Sequence, residues 1–338
     1  MRLLRPAAGS APLEGADVLL LDLDGVVYRG RQPIDHAVDV LGRVARGGTR
    51  VGYITNNASR RPDTVAEQLR GFGLDVSVDQ VVTSPQAAVR LLADRLPPRS
   101  RILVIGGDGL TSVVQEAGFT VVASADDQPD AVVQGFSPDL GWKDLAEASF
   151  ALADPDRLWV ATNTDWTLPV ERGIAPGNGT LVSAVHSAVG RLPVVAGKPE
   201  TPLFETAVER FAAAAPFFVG DRLDTDIAGA NAAGMPSALV LTGIDGPKQL
   251  LAAPERARPP YVLADLRGLL EPYPESRTRG GGVQVGEALV RIHDGALQVV
   301  RDGSPLDRVR AAAQAVWASG MGPYGLAIPD ALFERPVR

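Results

Sequence analysis

Four short clusters in the sequence carry side chains that can do chemistry: Asp22-Leu23-Asp24-Gly25, Thr55-Asn56-Asn57, Lys198, and Asp221 with Asp226. They offer carboxylates, a hydroxyl and a primary amine. There is no cysteine, and His36, His186 and His293 are far apart in the chain and form no ligand spacing. Such a set suits phosphoryl transfer, which asks for a nucleophile, a proton donor for the leaving oxygen, and cations against the equatorial charge. A carboxylate nearing a phosphate dianion is repelled by about 4 kcal/mol per charge pair at roughly 4 Å and an effective dielectric near 20. A divalent ion reverses that sign. Oxygen ligands completed by water and phosphate suit octahedral Mg2+, and the sequence offers no Cys or His cluster for zinc. On this reading Asp22 and Asp221 are carboxylate ligands. Asp24 is the general acid for the departing alkoxide and later the base that activates water, a role worth about 10²–10⁴ in rate. The Thr55 hydroxyl, the amides of Asn56 and Asn57 after it, and Lys198 bind phosphoryl oxygens. Taken singly, each cluster has a plainer meaning: Asp-x-Asp-Gly can close a strand as a simple turn, and an isolated lysine is ordinarily solvated.

What raises the clusters above those plain readings is where the chain must place them. Val18–Leu21 is a continuous aliphatic run, the pattern of a strand buried on both faces, and it delivers Asp22 and Asp24 to one side with Leu23 opposite. A helical stripe over Ile34–Arg46 ends at Gly47-Gly48. Arg50–Thr55 reads as a second buried strand, and Pro62–Leu69 as a helix with proline in its first turn. Strand, helix, strand, helix is the alternation of a parallel α/β sheet, in which ligands bind beyond the carboxyl ends of the strands. Asp22, Asp24 and Thr55 fall there. So does Lys198, after Val194-Val-Ala-Gly, and so does Asp221, after Pro216–Gly220. Asp224 reads as a helix-start acid.

From about Pro85 to Leu192 a second α/β unit is expected. It has helices at 85–95, from Gly109 through Ala117 and around 142–152, and strands at 102–105 and near 119–122, 131–134 and 158–161. A long irregular stretch, Thr162 to Gly179, then precedes a helix at 180–189. A loop of that length is usually functional or mobile, so it reads either as a substrate-facing wall or as a surface excursion. Strand 237–241 and a strand with a short helix over 261–270 continue the alternation. Glu271-Pro-Tyr-Pro and Arg279-Gly-Gly-Gly282 read as a linker. Beyond it, Val283–Ile292 and Ala296–Arg301 flank His293-Asp-Gly295 as a hairpin, followed by a helix from Leu306 to Trp317. A piece that small should dock on the main body.

The expected domains are therefore a catalytic core over 12–84 and 194–270, an inserted α/β cap over 85–193, and a C-terminal α+β appendage over 271–338. The chain has 338 residues, 45% of them hydrophobic, enough for a sizeable core. With 33 Lys+Arg against 40 Asp+Glu the net charge is −7, which argues against a nucleic-acid partner. Met1-Arg-Leu-Leu-Arg-Pro6 has no apolar core for a signal peptide, and no segment is apolar enough for a membrane span. A cytoplasmic protein is expected, acting on a small phosphorylated metabolite, with a homodimer as an admissible assembly. Gly106-Gly107-Asp108-Gly109 lacks the third glycine of a dinucleotide loop, Ser112 following instead. Gly197-Lys198 lacks the first glycine of an ATPase loop and has Pro199 where Ser or Thr belongs.

Taken together, Asp22-Leu-Asp24-Gly, Thr55-Asn-Asn, Gly197-Lys198-Pro and Gly220-Asp221-Arg-Leu-Asp-Thr-Asp226 resemble, in order, the four motifs of the haloacid dehalogenase-like hydrolases. The resemblance covers about residues 15–270 and is nearest to the phosphatase branch with a large α/β cap between the second and third motifs. It implies a doubly wound, Rossmann-like parallel sheet with an inserted cap. It implies Asp22 as the nucleophile forming an aspartyl-phosphate, Asp24 as acid and base, and Thr55 and Lys198 on the phosphoryl group. It also implies Mg2+ on Asp22, Asp221 and the main-chain oxygen of Asp24, with Asp226 in support. The second aspartate, Asp24, is not used by the dehalogenating relatives, so its presence favours phosphate chemistry. Ala161-Thr-Asn-Thr-Asp-Trp-Thr-Leu-Pro-Val-Glu-Arg-Gly173 resembles the cap loop of enzymes hydrolysing glycerol 3-phosphate, 2-phosphoglycolate, pyridoxal phosphate or nitrophenyl phosphate. The whole chain, extra C-terminal piece included, is similar to bacterial glycerol-3-phosphate phosphatases. That piece faintly resembles a fragment of an acetyltransferase fold, too short for an acetyl-CoA site, and reads as structural. Two other outcomes stay open from the residues: a catalytically idle protein that senses a phosphorylated metabolite, and a phosphotransferase to a second acceptor.

Overall fold

The computed structural model describes residues 9–170 and 172–336. The expected lead-in over 1–16 falls in part on residues 1–8, which lie outside the described residues, as do Glu171 of the long loop and residues 337–338 of the tail. In chain order the first elements are β1 (Val18–Leu21), α1 (Ala37–Arg46), β2 (Arg50–Thr55), α2 (Pro62–Gly71), β3 (Val81–Thr83) and α3 (Ser84–Ala93). There follow β4 (Arg101–Ile105), α4 (Asp108–Glu116), β5 (Thr120–Val122), β6 (Ala131–Gln134), α5 (Trp142–Ala151) and β7 (Leu158–Ala161). The strands β8 (Thr167–Val170) and β9 (Gly173–Pro176) come next, then α6 (Asn178–Val189), β10 (Val194–Val195) and α7 (Pro202–Arg210). The chain continues with β11 (Pro216–Gly220), α8 (Ala228–Ala232), β12 (Ser237–Val240), α9 (Pro247–Leu251) and β13 (Tyr261–Leu263). It ends with β14 (Ser276–Arg279), β15 (Gly282–Val285), β16 (Ala288–His293), β17 (Ala296–Arg301) and α10 (Pro305–Ser319).

The chain divides into two compact units, one made of Met1–Gly52, Phe72–Leu74 and Ala213–Arg338, the other of Tyr53–Gly71 and Asp75–Ala212. In the first, parallel strands run in the order β13-β12-β11-β1. All four residues of β1 are fully buried, as their uninterrupted aliphatic run requires. Helix α1 buries Ala37, Val40, Leu41 and Val44, spaced for one face, with Asp39 in its first turn and Arg43 and Arg46 in its last. It starts three residues later than Ile34, the start expected from the stripe. Gln32–Pro33 pairs with Tyr28–Arg29, and His36, in a left-handed conformation, turns the chain into the helix.

The C-terminal piece belongs to this first unit. Strands β14 to β17 form an antiparallel sheet in sequence order, with α10 packed against it. The run Arg279-Gly-Gly-Gly282, expected to be a linker, is instead a hairpin. Gly280 and Gly281 both take positive φ (55° and 72°), the two-residue turn that suits the twist of paired strands. The expected strand Val283–Ile292 is broken at Gly286, also left-handed. Val290, Leu297, Val309, Ala312 and Val316 share one apolar core with Leu239, Leu241, Leu250 and Val262, so the tail has its core in common with β12, α9 and β13.

In the second unit, β2 pairs in parallel with β3, and a separate all-parallel sheet runs β10-β7-β6-β4-β5. Leu103, Val132, Trp159, Val182 and Val185 form its core with α5 and α6. The stretch expected to be irregular holds the hairpin β8–β9, Thr167 opposite Pro176 and Val170 opposite Gly173. Among the described residues no helix is long and apolar enough to cross a membrane.

Candidate active site

The residues singled out by sequence gather in two groups, one within each unit. In the first unit, Asp22 directly follows β1, and its N–H donates to the Val219 carbonyl of β11 at 2.9 Å. Leu23 is buried, and its carbonyl accepts from the amides of Val26, Val27 and Tyr28, so the chain curls back at once. Asp24 sits exposed on that curl and Asp22 is half-buried. Gly25, at φ 84°, is needed here twice over: a Cβ would be strained by the backbone and would overlap the carboxylate of Asp221.

Strand β11 delivers Asp221, which is buried, and a π-helical turn over Leu223–Ile227 folds Asp226 back beneath it. Asp226 Oδ2 accepts the N–H groups of Asp221 and Arg222, both at 3.1 Å. The segment after β12 closes on the same place. Thr242 Oγ1 donates to the Gly25 carbonyl at 2.6 Å, and the Ile244 N–H donates to Asp221 Oδ2 at 2.6 Å. Gly243 lies so near Asp221 that a side chain there would overlap its carboxylate. One carboxylate oxygen each from Asp22, Asp221 and Asp226 lies within 4.8 Å of the others.

Three carboxylates at that spacing, two of them buried, oppose one another's ionisation unless a cation lies among them. The donor set fits a hard divalent ion: every candidate ligand is oxygen, and two glycines leave room beside Asp221. Asp22, Asp221 and Asp226 are the residues that could hold it. Asp226, expected only in support, stands within the acid cluster itself. Asp245, which sequence passed over, accepts the Leu223 N–H at 2.6 Å. Burial pushes its carboxyl above the usual carboxylate range, aided by the charges of Asp224 and Asp226 and opposed by the Leu223 amide and Arg222. A fourth acid following a buried strand end, after 237–241, was the signal that could have found it.

In the second unit, β2 ends at Thr55, buried, with its Oγ1 accepting the Asn57 N–H at 3.1 Å. The carboxamide of Asn56 is used inside the protein. Its Oδ1 accepts the Lys198 N–H at 2.8 Å, and its Nδ2 donates to the Lys198 carbonyl at 3.0 Å and to both carboxylate oxygens of Asp165 at 3.2 Å. Asn56 thus splints the main chain of Lys198, a buried residue. Asn57 Oδ1 accepts the N–H and hydroxyl of Ser59 and shapes the loop. The Asn56 carbonyl accepts from Ser84 Oγ at 2.7 Å and Asn163 Nδ2 at 2.8 Å. Ser84 carried no sequence signal. Asn163 and Asp165 lie within the long loop, where its length and its resemblance to phosphatase cap loops point to the stretch but not to these side chains.

The comparisons with known proteins agree with this chemistry. A family model described as haloacid dehalogenase-like hydrolase matches residues 19–120, and a second, HAD-hydrolase-like, matches residues 195–269. The chain is 46% identical over 310 residues to the D-glycerol 3-phosphate phosphatase of Mycobacterium tuberculosis, covering 89% of this chain and 86% of that protein. It is 36% identical to the glycerol-3-phosphate phosphatase of Gallus gallus, covering 72% of this chain and 85% of that one. Among solved structures, a glycerol phosphate phosphatase of Mycobacterium tuberculosis in complex with magnesium superposes with a TM-score of 0.84. It has 42% identity and covers 95% of this chain and 94% of that one. A p-nitrophenyl phosphatase of Archaeoglobus fulgidus gives 0.70 at 29% identity, covering 75% of this chain and 98% of that one.

Proposed function

The chain belongs to the haloacid dehalogenase-like hydrolases, and from that premise we propose that it is a magnesium-dependent phosphatase. Its substrate in this reading is glycerol 3-phosphate, cleaved to glycerol and phosphate through an aspartyl-phosphate on Asp22. The observation that carries the reading is the set of carboxylate oxygens from Asp22, Asp221 and Asp226 within 4.8 Å of one another. The choice of ester is supported by the names of the relatives that match most of the chain.

Magnesium held by Asp22, Asp221 and the main-chain oxygen of Asp24, with Asp226 behind them, would supply the positive charge that lets a carboxylate and a phosphate dianion approach. The remaining work falls to the chain. An Asp22 carboxylate oxygen forms the new bond to phosphorus as the bond to the glycerol oxygen breaks. Asp24 gives that oxygen its proton, and then takes one from the water that releases phosphate from Asp22. Thr55 and Lys198 hold the phosphoryl oxygens, and Asn56 keeps the Lys198 main chain in place. Residues 85–193 act as the cap that chooses the ester, with the hairpin β8–β9 as its specificity element.

A panel of phosphate esters at saturating Mg2+ tests the reading. The expected result is a kcat/KM for glycerol 3-phosphate at least about tenfold above those for 2-phosphoglycolate, pyridoxal phosphate and nitrophenyl phosphate. In the same assay Asp22→Asn should release no phosphate and carry no covalent phosphoryl group on quenching. Turnover by that variant, or turnover by the parent after exhaustive chelation, would defeat the mechanism. A flat panel would defeat the choice of substrate alone.

A further inference from the structure

The last residues of the described chain reach the acid cluster indirectly. Arg335 Nη1 donates to the carbonyls of Leu241, at 3.1 Å, and Gly243, and its Nη2 donates to the carbonyl of Ile244 at 2.7 Å. The carbonyl between them, Thr242, is taken by Arg29. Four consecutive carbonyls after β12 are therefore gripped by two guanidinium groups. The opposite edges of two of these peptides face Asp221. The Ile244 N–H donates to Asp221 Oδ2 at 2.6 Å, and the Asp245 N–H donates to the Asp221 carbonyl at 3.1 Å.

A trans peptide is a rigid plate with its C=O and N–H on opposite edges. In the Gly243–Ile244 plate, Arg335 holds the oxygen edge and Asp221 Oδ2 receives the hydrogen edge. In the Ile244–Asp245 plate, Arg335 again holds the oxygen and the Asp221 main chain receives the hydrogen. A cation on the carbonyl both fixes the plate's tilt and polarises its N–H, strengthening the bond to the carboxylate. Gly243 itself can carry no side chain, since a Cβ there would overlap the Asp221 carboxylate, so this peptide is held through its polar edges.

We propose that Arg335 is a positioning residue for Asp221: acting through these two peptides, the C-terminal segment orients the carboxylate that holds the divalent ion. The rest of the tail anchors that reach. Leu326 and Leu332 lie in the shared apolar core, and Trp317 Nε1 donates at 3.2 Å to the carbonyl of Leu250 on α9, the helix that follows this loop. The appendage is thus part of the catalytic machinery's support. This inference rests on the phosphatase reading and makes Asp221 its target.

The test is a Mg2+ titration of the full-length protein without substrate, by calorimetry, on the parent, Arg335→Ala, Arg335→Lys and Asp221→Asn. Arg335→Ala should weaken Mg2+ binding about tenfold, the lower end of what losing a partner behind a metal ligand costs, while KM for the ester at saturating Mg2+ stays within about twofold. Arg335→Lys should recover part of the loss, since one ammonium can meet one of the two carbonyls well but cannot fork between them. A Mg2+ curve for Arg335→Ala that overlays the parent overturns the inference. So does a lowered unfolding midpoint with that curve unchanged, which would make Arg335 merely structural. If Asp221→Asn also binds Mg2+ like the parent, the acid-cluster reading itself has failed. If only Asp221→Asn loses the ion, Arg335 alone is refuted.

Discussion

Asn56 shows what a single carboxamide contributes when both its ends are used. A side chain of that shape matches the donor and acceptor of a peptide, so it can pair with the Lys198 main chain as another strand would, and still give a hydrogen to Asp165. Asn56→Leu keeps the volume and removes all of these bonds, leaving buried groups of Lys198 unmet. The expected outcome is a ten- to hundredfold fall in kcat/KM, of the order that losing hydrogen bonds near charged groups produces, with the Mg2+ titration unchanged. A matching loss of Mg2+ affinity would instead tie Asn56 to the acid cluster. The sequence marked Asn56 as a phosphate contact because Thr-Asn-Asn follows a buried strand. It could not show that the side chain turns toward Lys198, 142 residues away, because hydrogen bonding between loops depends on how they meet and not on local pattern. Asp226 is legible as an acid beside Asp221, but its return to the Asp221 and Arg222 amides depends on the same kind of folding between loops.

At the scale of elements, legibility followed periodicity. The strands β2, β6 and β7 fall where their apolar runs end, since a buried strand needs an unbroken run and a polar residue stops it. The errors cluster where glycine or proline carries two meanings. Gly280-Gly281 looks like a flexible linker by composition and acts as a left-handed turn between paired strands. The hairpin β8–β9 carries no strand signal in the sequence, since Pro169 and Gly173 interrupt its pattern. That hairpin is tied at its base, where the Gly177 N–H donates to the Trp166 carbonyl at 2.8 Å and Thr180 Oγ1 donates to the same oxygen at 2.9 Å. Trp166 and Ile174 are exposed. Replacing 168–175 with Gly-Gly leaves the base intact. If the hairpin selects the ester, kcat/KM for glycerol 3-phosphate should fall at least about tenfold while that for nitrophenyl phosphate, with its better leaving group, changes by less than about threefold. Equal losses for both esters would take specificity away from this element.

At the scale of the molecule, the tail's expected docking has a specific physical form. A helix and four strands cannot bury enough apolar surface alone, so α10 packs against both its own sheet and the core around Leu250 and Val262. The joint is sealed by Arg310, which is buried. Its Nε and Nη2 donate to the Val262 carbonyl at 2.9 and 2.7 Å, its Nη1 pairs with Asp307 at 2.9 Å, and its guanidinium lies 4.4 Å from the centre of the Tyr273 ring. The Tyr273 hydroxyl accepts the Val262 N–H at 3.0 Å, and burial pushes its pKa up. None of this is visible in sequence, where Arg310 is one basic residue on an amphipathic helix. Arg310→Met retains the aliphatic stem but strands the Asp307 carboxylate and the Val262 carbonyl. The expected loss is about 3 kcal/mol of stability by urea unfolding, the cost of breaking a largely buried pair from one side. Because the tail and β12–β13 share one core, the far-ultraviolet signal and loss of phosphatase activity should still move together to a lower midpoint. An early transition that melts the tail and leaves activity intact would show that the appendage is a passenger, and would weaken the case for Arg335 with it.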